Sequence, residues 1–355
     1  MTEAVLLVGG KGTRLRPLTV TTPKPMLPTA GVPFLTHVLA RAQEAGIDHV
    51  VLATSYRSEV FAAQFGDGSG LGLAIDYVTE TEPLGTGGGL RNVAHLLRSG
   101  PEDPVVILNG DVLSGHDIAA QVAAHQSAGA DVTLHLTEVE DARPFGSCPA
   151  DGSGRITDFL EKSPQPVSNK VNAGCYVFAR RVIDAIPAGR PVSVERETFP
   201  GLLRDGAFLL GHVDPAYWLD LGMPAAFVRG SCDLVLGRLR SPALPGEVGE
   251  SLVLPDAVVD PTAKTDGGTT VGARCVIGAG AVVHGSVLMD GSVIGEGSVV
   301  RDSVLGREAT VGADCVLSDA VLGDQAVVGD GNELLSGARV WTDARIPAGA
   351  IRFSS

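Results

Sequence analysis

The C-terminal third of the chain repeats with a period of 17 residues, and this repeat constrains the fold more than any other feature of the sequence. Three aliphatic positions recur in each period, and Gly follows the second of them. The three series are Val271, Leu288, Leu305 and Leu322; Ile277, Ile294, Val311 and Val328; and Val283, Val300, Leu317 and Leu334. Steps of 6, 6 and 5 residues within one period indicate a coil with three sides.

Small residues stand two positions before most of these aliphatics. They are Cys275, Ala281, Ser286, Ser292, Ser298, Ser303, Ala309, Cys315, Ala320 and Ala326. A parallel β-helix needs both features, because its aliphatics stack inward between coils while its tight corners admit only small side chains. A loop-rich β-sandwich would not keep a fixed period through four coils. The repeat therefore predicts a left-handed parallel β-helix of the hexapeptide type, and it gives Cys275 and Cys315 a packing role.

The chain before about residue 240 has a different pattern, in which apolar runs alternate with helix-like segments. The predicted strands are residues 4–8, 50–53, 75–78 and 105–108, and the predicted helices are 33–45, 58–65, 90–97 and 118–128. This alternation predicts an α/β domain with a Rossmann-like mixed, mostly parallel sheet, whose ligands bind beyond the carboxyl ends of the strands. Since RLRSPALPGEVGE (238–250) has no apolar period, we predict a catalytic domain at 1–238, a linker at 239–250 and the β-helix at 251–355.

Charge and cysteine content exclude several classes of protein. With 27 Lys and Arg against 41 Asp and Glu, the net charge of −14 argues against a nucleic-acid binder. The five cysteines form no CxxC motif, and the first apolar run is too short for a signal peptide or a membrane span. We therefore predict a cytoplasmic protein that has no membrane or nucleic-acid partner.

A glycine-rich loop follows the first predicted strand, in LLVGGKGTRLRPLTVTTPKPMLP (6–28). Gly9, Gly10 and Gly12 allow positive φ angles that turn backbone N–H groups toward an anion. Arg14 and Lys24 can neutralise phosphate oxygens. The spacing of the loop matches neither the P-loop nor the dinucleotide-binding fingerprint. The loop by itself therefore predicts a phosphate site without identifying the ligand.

The wider sequence resembles the sugar-1-phosphate nucleotidyltransferase family. Besides the loop, the matching strings in order are EPLGTGGGL (82–90), LNGDVL (108–113), FLEKS (159–163), VNAGCYVF (171–178) and YWLDLG (217–222). The resemblance covers nearly the whole chain, since a C-terminal β-helix is a common appendage in this family. It implies transfer of a nucleotidyl group from a nucleoside triphosphate to a sugar 1-phosphate. The wording of SNKVNAGCYVF and EPLGTGGG is most similar to the branch that uses GTP and mannose 1-phosphate.

The resemblance also implies roles for individual residues. The implied nucleotide-binding residues are Gly9, Gly10, Gly12, Thr13, Glu80, Gly85 and Thr86. The implied catalytic residues, which neutralise phosphate charge, are Arg14, Lys24 and Lys162. The implied sugar-binding residues are Gly146, Glu161 and Asn172. Two departures weaken single assignments: Ser163 stands where the family has Pro, and RPFGSCP (143–149) around Gly146 matches only loosely.

The implied chemistry needs cations more than a general base. The second pKa of a phosphomonoester is about 6, so the attacking sugar phosphate is already an anion near neutral pH. The reaction instead requires in-line positioning and charge neutralisation. Asp111, after the apolar run VVILNG, and Asp220, in YWLDLG, are the candidate ligands for Mg²⁺, by sequence context and by resemblance.

Alternatives remain open at the level of sequence. Glucose 1-phosphate with dTTP, UTP or ATP would use the same machinery, and a non-catalytic regulatory relative would keep the fold. The presence of Arg14, Lys24, Asp111, Lys162 and Asp220 together favours an enzyme. His284 raises the possibility of an acyltransferase β-helix, but no second feature of that class accompanies it. We expect the β-helix to serve assembly, which predicts a homo-oligomer.

Overall fold

The described chain divides into two compact units. The structure is a computed structural model and describes residues 2–55 and 57–353. The first unit, here called the sheet unit, contains the described residues up to Gly10 and from Val38 to Trp218. The second, here called the β-helix unit, contains those from Lys11 to His37 and from Leu219 onward. Most of the glycine-rich loop therefore belongs to the β-helix unit, in a stretch (residues 11–27) that we call the loop segment.

Helices are short throughout the part of the chain that the structure describes. The α-helices are α1 Phe34–Glu44, α2 Glu59–Phe65, α3 Gly85–Val93, α4 Ile118–Ala128, α5 Arg180–Ala185, α6 Phe199–Arg204 and α7 Pro224–Val235. The 3₁₀ turns are Thr13–Leu15, Leu18–Val20, Lys24–Met26, Ser69–Leu71 and Ala94–Leu96, and Val194–Thr198 is a π-helical turn. No helix in residues 2–55 and 57–353 is long and apolar enough to cross a membrane.

Strands β1 to β13 precede the repeat region. They are β1 Thr2–Leu7, β2 Pro28–Thr29, β3 Val32–Pro33, β4 Ile47–Thr54, β5 Ala74–Thr79, β6 Pro104–Asn109, β7 Val112–Ser114, β8 Val132–Glu138, β9 Gly146–Ser147, β10 Leu160–Glu161, β11 Lys170–Ala179, β12 Leu209–Val213 and β13 Trp218–Asp220. Nine of them form one sheet with the order β10-β9-β11-β6-β1-β4-β5, and β8 joins β11 to β12. Strands β6, β1, β4 and β5 are parallel, whereas β11 runs antiparallel to β6, β8 and β9. The predicted mixed sheet is confirmed.

The core of the sheet unit is the apolar centre of this sheet together with the helices packed on it. The buried side chains include those of Val5, Ile107, Leu134, Tyr176 and Phe199. The predicted helix at 118–128 is observed with the same bounds, because the Asp117 carboxylate accepts a hydrogen bond from the Ala120 N–H and Gly129 ends the helix in a left-handed conformation.

Helix α3 differs from its prediction. The pattern of apolar residues placed this helix at 90–97, but it begins at Gly85 and gives way to a 3₁₀ turn after Val93. Glycines are poor helix formers, which is why the sequence pattern missed the first turn. Packing explains the result: a Cβ at Gly88 would lie 2.9 Å from the Arg190 carbonyl oxygen, so the glycines allow a backbone-to-backbone contact.

The repeat region forms three parallel sheets. Its strands are β14 Ser251–Val253, β15 Val258–Val259, β16 Lys264–Asp266, β17 Thr269–Val271, β18 Val276–Ile277, β19 Val282–His284, β20 Val287–Leu288, β21 Val293–Ile294, β22 Val299–Arg301, β23 Val304–Leu305, β24 Thr310–Val311, β25 Val316–Ser318, β26 Val321–Leu322, β27 Val327–Val328, β28 Glu333–Leu334, β29 Arg339–Val340 and β30 Arg345–Ile346. We call the sheet β14-β17-β20-β23-β26-β29 the first face, β15-β18-β21-β24-β27-β30 the second face and β16-β19-β22-β25-β28 the third face.

The interior of these three faces agrees with the predicted left-handed parallel β-helix. The recurring aliphatics form one buried cluster, and all ten small residues named above are fully buried. Corner hydroxyls bridge successive turns, since Ser286 Oγ accepts from the Ser303 N–H and Ser303 Oγ accepts from the Ala320 N–H. The two cysteines in these positions, Cys275 and Cys315, are buried free thiols.

The β-helix unit also has an apolar cluster outside the barrel of the β-helix. Val287, Val304 and Val321 point away from the inner cluster, yet they are buried against α7 and the loop segment. The loop segment contributes Leu15, Leu18 and Leu27. The first face therefore has a covered outer surface.

Candidate active site

Four parallel strands of the sheet unit end at the same level. Register pairs Leu7 of β1 with Ala53 of β4 and with Asn109 of β6, and Thr54 of β4 with Thr79 of β5. The residues that follow these strands include the predicted site residues Gly9, Gly10, Glu80 and Asp111. The topology thus brings four predicted residues to one edge of the sheet, where ligands bind in α/β folds.

The two glycines of the sheet unit turn away from β1 at this edge. Gly10 has φ 118°, and its N–H donates to Ser55 Oγ at 3.4 Å. Gly9 does not have the positive φ that we expected, and it is instead a close-approach position, because a Cβ there would lie 3.3 Å from Ser55 Oγ. Ser55, which the sequence did not single out, therefore shapes the start of the loop.

Glu80 lies directly after β5 and is partly buried. Its backbone N–H donates to the Thr54 carbonyl at 2.8 Å, and its Oε2 accepts from the Leu84 N–H at 3.3 Å. A Cβ at Gly89 of α3 would lie 2.8 Å from Glu80 Oε1. Burial raises the pKa of Glu80, so the carboxylate lies where additional N–H donors would favour its charged form.

Gly85 and Thr86 begin α3 and contact the segment around Val192. Gly85 has φ 70°, and a Cβ there would lie 2.7 Å from the Val192 carbonyl oxygen, so both conformation and space require glycine. Thr86 Oγ1 donates to Glu195 Oε2 at 2.8 Å and accepts from the Val194 N–H at 2.9 Å. These two predicted nucleotide-binding residues thus have structural contacts of their own.

Asp111 lies in the tight turn between β6 and β7. The Gly110 N–H donates to the Leu7 carbonyl at 2.9 Å, and a Cβ at Gly110 would lie 2.7 Å from Val8 Cγ1. The turn is thereby held against β1, which keeps the half-buried Asp111 beside the glycine-rich stretch of the sheet unit.

Three strands bring the predicted sugar-binding residues together in the sheet unit. Gly146 of β9 pairs with Glu161 of β10, and a Cβ at Gly146 would lie 3.1 Å from Glu161 Oε2. Lys162 has φ 50° and a largely exposed side chain, with Nζ 3.6 Å from Glu161 Oε1. The loose sequence match at Gly146 nevertheless gives a residue that faces Glu161 directly.

Asn172 lies where β11 departs from regular pairing with β8. Its Nδ2 donates to the Tyr176 hydroxyl at 2.7 Å, and its Oδ1 accepts from the Gly174 N–H at 3.1 Å. Burial raises the pKa of Tyr176 well above its ordinary value, so this hydroxyl stays neutral. Trp218 Nε1 donates to the Ala173 carbonyl at 3.0 Å, which fixes the same stretch of β11.

The remaining predicted residues lie in the β-helix unit. Gly12 has φ 56°, and a Cβ there would lie 3.0 Å from Thr19 Cγ2 and 3.1 Å from Lys24 Cβ. Thr19 Oγ1 donates to the Gly12 carbonyl at 2.8 Å. The loop segment therefore folds back on itself and brings Gly12 against Lys24, while Thr13 is exposed at the start of the first 3₁₀ turn.

Arg14, Lys24 and Asp220 converge around Gly222. Lys24 Nζ lies 3.9 Å from Asp220 Oδ1, with only 12% of the Lys24 side chain exposed. A Cβ at Gly222 would lie 2.6 Å from Arg14 Nη2 and 2.9 Å from Asp220 Oδ1. Two cations and one carboxylate thus meet in a space that only glycine leaves open. The sequence signal for Gly222 was available, since it ends the matched string YWLDLG.

A parallel-sheet edge with a glycine turn, and a loop segment that carries converging cations, are the features of a nucleotidyltransferase. Both were predicted as parts of one site, and each unit contains its share of the predicted residues. The sheet unit brings together Gly9, Gly10, Glu80, Gly85, Thr86, Asp111, Gly146, Glu161, Lys162 and Asn172. The β-helix unit brings together Gly12, Thr13, Arg14, Lys24 and Asp220.

The chain belongs to the nucleotidyl transferase family, whose sequence profile matches residues 3–235, and the profile of the GMPPB C-terminal domain matches residues 247–347. It is 58% identical to a mannose-1-phosphate guanylyltransferase of Mycobacterium tuberculosis, over 99% of this chain and 98% of that protein. It is 39% identical to the catalytic subunit beta of mannose-1-phosphate guanylyltransferase of Drosophila melanogaster, over 75% of this chain and 72% of that protein. HddC from Yersinia pseudotuberculosis complexed with GMP-PN is 26% identical, with a TM-score of 0.56 over 65% of this chain and 98% of that one.

Proposed function

We propose that the protein transfers a guanylyl group from GTP to mannose 1-phosphate and forms GDP-mannose. In this reaction an oxygen of the sugar phosphate forms a bond to the α-phosphorus of GTP. The bond from that phosphorus to the bridging oxygen of the β-phosphate breaks, and pyrophosphate leaves with the electron pair. The observation that carries the proposal is the convergence of Arg14 and Lys24 beside Asp220, because this reaction needs charge neutralisation without a general base.

The phosphate groups are assigned to the loop. Lys24, mostly buried and close to Asp220, would contact the α-phosphate, where negative charge builds up in the transition state. Arg14 has the forked guanidinium that suits the β- and γ-phosphates. Gly9, Gly10, Gly12 and Thr13 would offer backbone N–H groups to the triphosphate.

The guanine base is assigned to Glu80. Guanine presents an N–H and an NH₂ donor side by side on one edge, and a carboxylate accepts both. The buried Glu80 carboxylate, with its raised pKa, would be stabilised in its charged form by such donors. Gly85 and Thr86 would act by holding the start of α3 beside the base, since the Thr86 hydroxyl is engaged by Glu195 and Val194.

Mannose 1-phosphate is assigned to the corner formed by β9, β10 and β11. Glu161 and Asn172 carry the oxygens and amide that hydroxyl groups bind, and Gly146 leaves room for a sugar against the backbone opposite Glu161. The exposed ammonium group of Lys162 would neutralise the sugar phosphate.

Mg²⁺ is assigned to Asp111 and Asp220. Magnesium prefers oxygen ligands and is usually held by one or two carboxylates, with waters and substrate phosphates completing its shell. The donor set fits this pattern, since no group of three or more His, Cys, Asp or Glu side chains among residues 2–55 and 57–353 could hold a metal by itself. When bound with the triphosphate, the ion would neutralise charge on the phosphates.

The test is pyrophosphate release from a panel of nucleoside triphosphates, each paired with mannose 1-phosphate or glucose 1-phosphate. We expect turnover with GTP and mannose 1-phosphate, dependent on Mg²⁺. We expect Lys24→Ala to lower kcat by about 10²- to 10³-fold. Lys264→Ala, which removes an exposed lysine of β16, is the matched control and should leave kcat unchanged.

The outcomes separate the substrate assignment from the site assignment. Turnover only with dTTP and glucose 1-phosphate would overturn the substrates while leaving the family activity. An unchanged kcat in Lys24→Ala would overturn the phosphate site. We also propose a homo-oligomer that resides in the cytoplasm, and a monomeric mass by light scattering would contradict the first part of this proposal.

A further inference from the structure

The covered outer surface of the first face carries a straight column of side chains. Register stacks Thr270 on Val287, Val287 on Val304, Val304 on Val321 and Val321 on Arg339. The three valines are buried against Leu15, Leu18 and Leu27 of the loop segment and against α7. The column therefore ends in a cation directly beyond an apolar contact with the loop segment.

Arg339 holds the backbone of the loop segment. Its Nη1 donates to the Arg14 carbonyl at 2.9 Å and to the Arg16 carbonyl at 2.8 Å. These carbonyls flank Leu15, whose side chain is in the apolar cluster. The backbone of Arg14 is thus fixed from the β-helix, and the direction in which the Arg14 guanidinium leaves the loop is fixed with it.

Arg307 and Asp324 hold a second point of the loop segment. Thr21 Oγ1 donates to Asp324 Oδ2 at 2.6 Å, and Arg307 Nη1 donates to Thr22 Oγ1 at 2.9 Å. The two residues also bind each other, since the Arg307 N–H donates to Asp324 Oδ1 at 2.9 Å. Asp324 therefore uses one oxygen inside the β-helix and the other on the loop segment.

The loop segment needs such support because its own secondary structure is weak. It contains only the 3₁₀ turns Thr13–Leu15, Leu18–Val20 and Lys24–Met26, and turns of this length are not stable by themselves. Holding a charged group within a fraction of an ångström of its working position matters, since a displacement of about 1 Å can cost about 10²-fold in rate.

We propose that Arg307, Asp324 and Arg339 of the β-helix are positioning residues for the nucleotide site, which hold the loop segment so that Arg14 and Lys24 are preset for the triphosphate. This inference rests on the proposed function for its kinetic consequence. It gives the β-helix a direct part in catalysis beyond the assembly role expected from its sequence. Its structural consequence, a loop segment held by three side chains, can be measured without any substrate.

The variants are Arg339→Ala and Asp324→Ala, each with a matched control. Arg345→Ala removes an arginine of the second face that makes no hydrogen bond to the loop segment among the described residues. Asp330 repeats the internal role of Asp324, because its Oδ1 accepts from the Ala313 N–H one turn below. Asp330→Ala thus removes the same corner bond without touching the loop segment.

Two readouts distinguish positioning from general stability. In Arg339→Ala and Asp324→Ala we expect kcat/KM for GTP to fall by about ten- to a hundredfold, while KM for mannose 1-phosphate stays near its wild-type value. Amide hydrogen exchange should quicken at least about tenfold in residues 13–22 and remain slow in the inner β-helix strands. Arg339→Lys should recover part of the activity, because an ammonium group can donate to both carbonyls with poorer geometry.

The proposal is overturned if Arg339→Ala and Asp324→Ala match their controls in both kinetics and loop exchange. It is also overturned if exchange quickens equally in the loop segment and the inner strands, since that would indicate loss of the β-helix itself. If the wild-type protein does not turn over GTP and mannose 1-phosphate, the proposed function fails. The exchange measurement then decides the positioning role alone.

Discussion

The first and second faces of the β-helix are built from the same repeat but have different surroundings. On the first face the outward valines Val287, Val304 and Val321 are 1%, 0% and 3% exposed. On the second face the outward residues Val258 and Val276 are 62% and 41% exposed. Local sequence is equivalent in the two columns, so the difference comes from what packs outside them.

The comparison teaches that one side of the β-helix serves as a support, while another remains open. The covered side carries α7 and the loop segment, including the phosphate-binding cations Arg14 and Lys24. An outward valine on the first face therefore contributes to both stability and the shape of the site. An outward valine on the second face should contribute to neither.

The largest difference between the faces is expected from a buried charge. Val304→Asp would place a carboxylate in the apolar cluster with Leu15 and Phe227, without a partner. We expect the free energy of unfolding to fall by about 3 kcal/mol or more. Val276→Asp on the second face should change it by no more than about 0.5 kcal/mol, because its carboxylate can remain in water.

Urea or thermal unfolding of the two variants measures this difference. Activity provides a second check, since Val304→Asp should also displace the loop segment and lower kcat/KM for GTP. Equal stabilities of the two variants would mean that the covered surface of the first face is not closed in solution.

A smaller difference is expected from a buried hydroxyl on the covered side. Ser231 of α7 accepts a hydrogen bond from the Ala30 N–H at 2.9 Å and lies 3.3 Å from Thr270 Oγ1 of the first face. Ser231→Ala would leave the buried Ala30 N–H without this acceptor, which costs about 1–2 kcal/mol. Thr310→Ala, on the outer side of the second face, should cost about 0.5 kcal/mol or less. Denaturant unfolding would contradict the comparison if the two substitutions cost the same.

The inner side of the β-helix was predictable because its constraint is local and repeated. Each inward aliphatic contacts its equivalents one turn away, and each corner must be small, so the pattern is printed in every period. The sequence period of 17 nevertheless missed the end turns. Register shows 18 residues between Val258 and Val276 and between Val327 and Arg345, where the last step is six residues instead of five.

The covering of the first face could not be predicted, because outward valines recur on all three faces. Nothing local distinguishes Val304 from Val293 or Val299. What covers Val304 is a segment nearly three hundred positions earlier in the chain, and such contacts depend on tertiary packing. Arg339 was the available signal: it interrupts a column of valines at the expected spacing, as a residue with a partner outside the repeat would.

The site was predictable where chemistry and strand ends coincide. Asp111 and Glu80 follow strands, so their positions at the sheet edge came from topology. Thr86 shows the limit of this reasoning, since its hydroxyl is engaged by Glu195, a residue 109 positions away. Residue type and motif predicted that Thr86 lies in the site but could not predict which neighbour it would bind.

The smallest effect is expected from a buried histidine on the covered side. His37 is fully buried; its Nε2 donates to the Thr29 carbonyl at 2.9 Å, and its Nδ1 accepts from the Ser241 hydroxyl at 2.7 Å. Burial lowers the pKa of His37, so the folded state resists its protonation. The stability that neutral His37 contributes is then complete above its unfolded pKa of about 6.5 and is lost as the pH falls below that value.

Comparing wild type with His37→Leu isolates this contribution, because the other histidines are the same in both proteins. We expect the difference in unfolding free energy between them to be constant from pH 8 to about pH 7 and to narrow as the pH falls toward 5. Urea unfolding at each pH measures it. A difference that stays constant down to pH 5 would mean that His37 becomes protonated as readily in the folded protein as in the unfolded chain. The tightly covered side of the β-helix would then admit charge as the open side does.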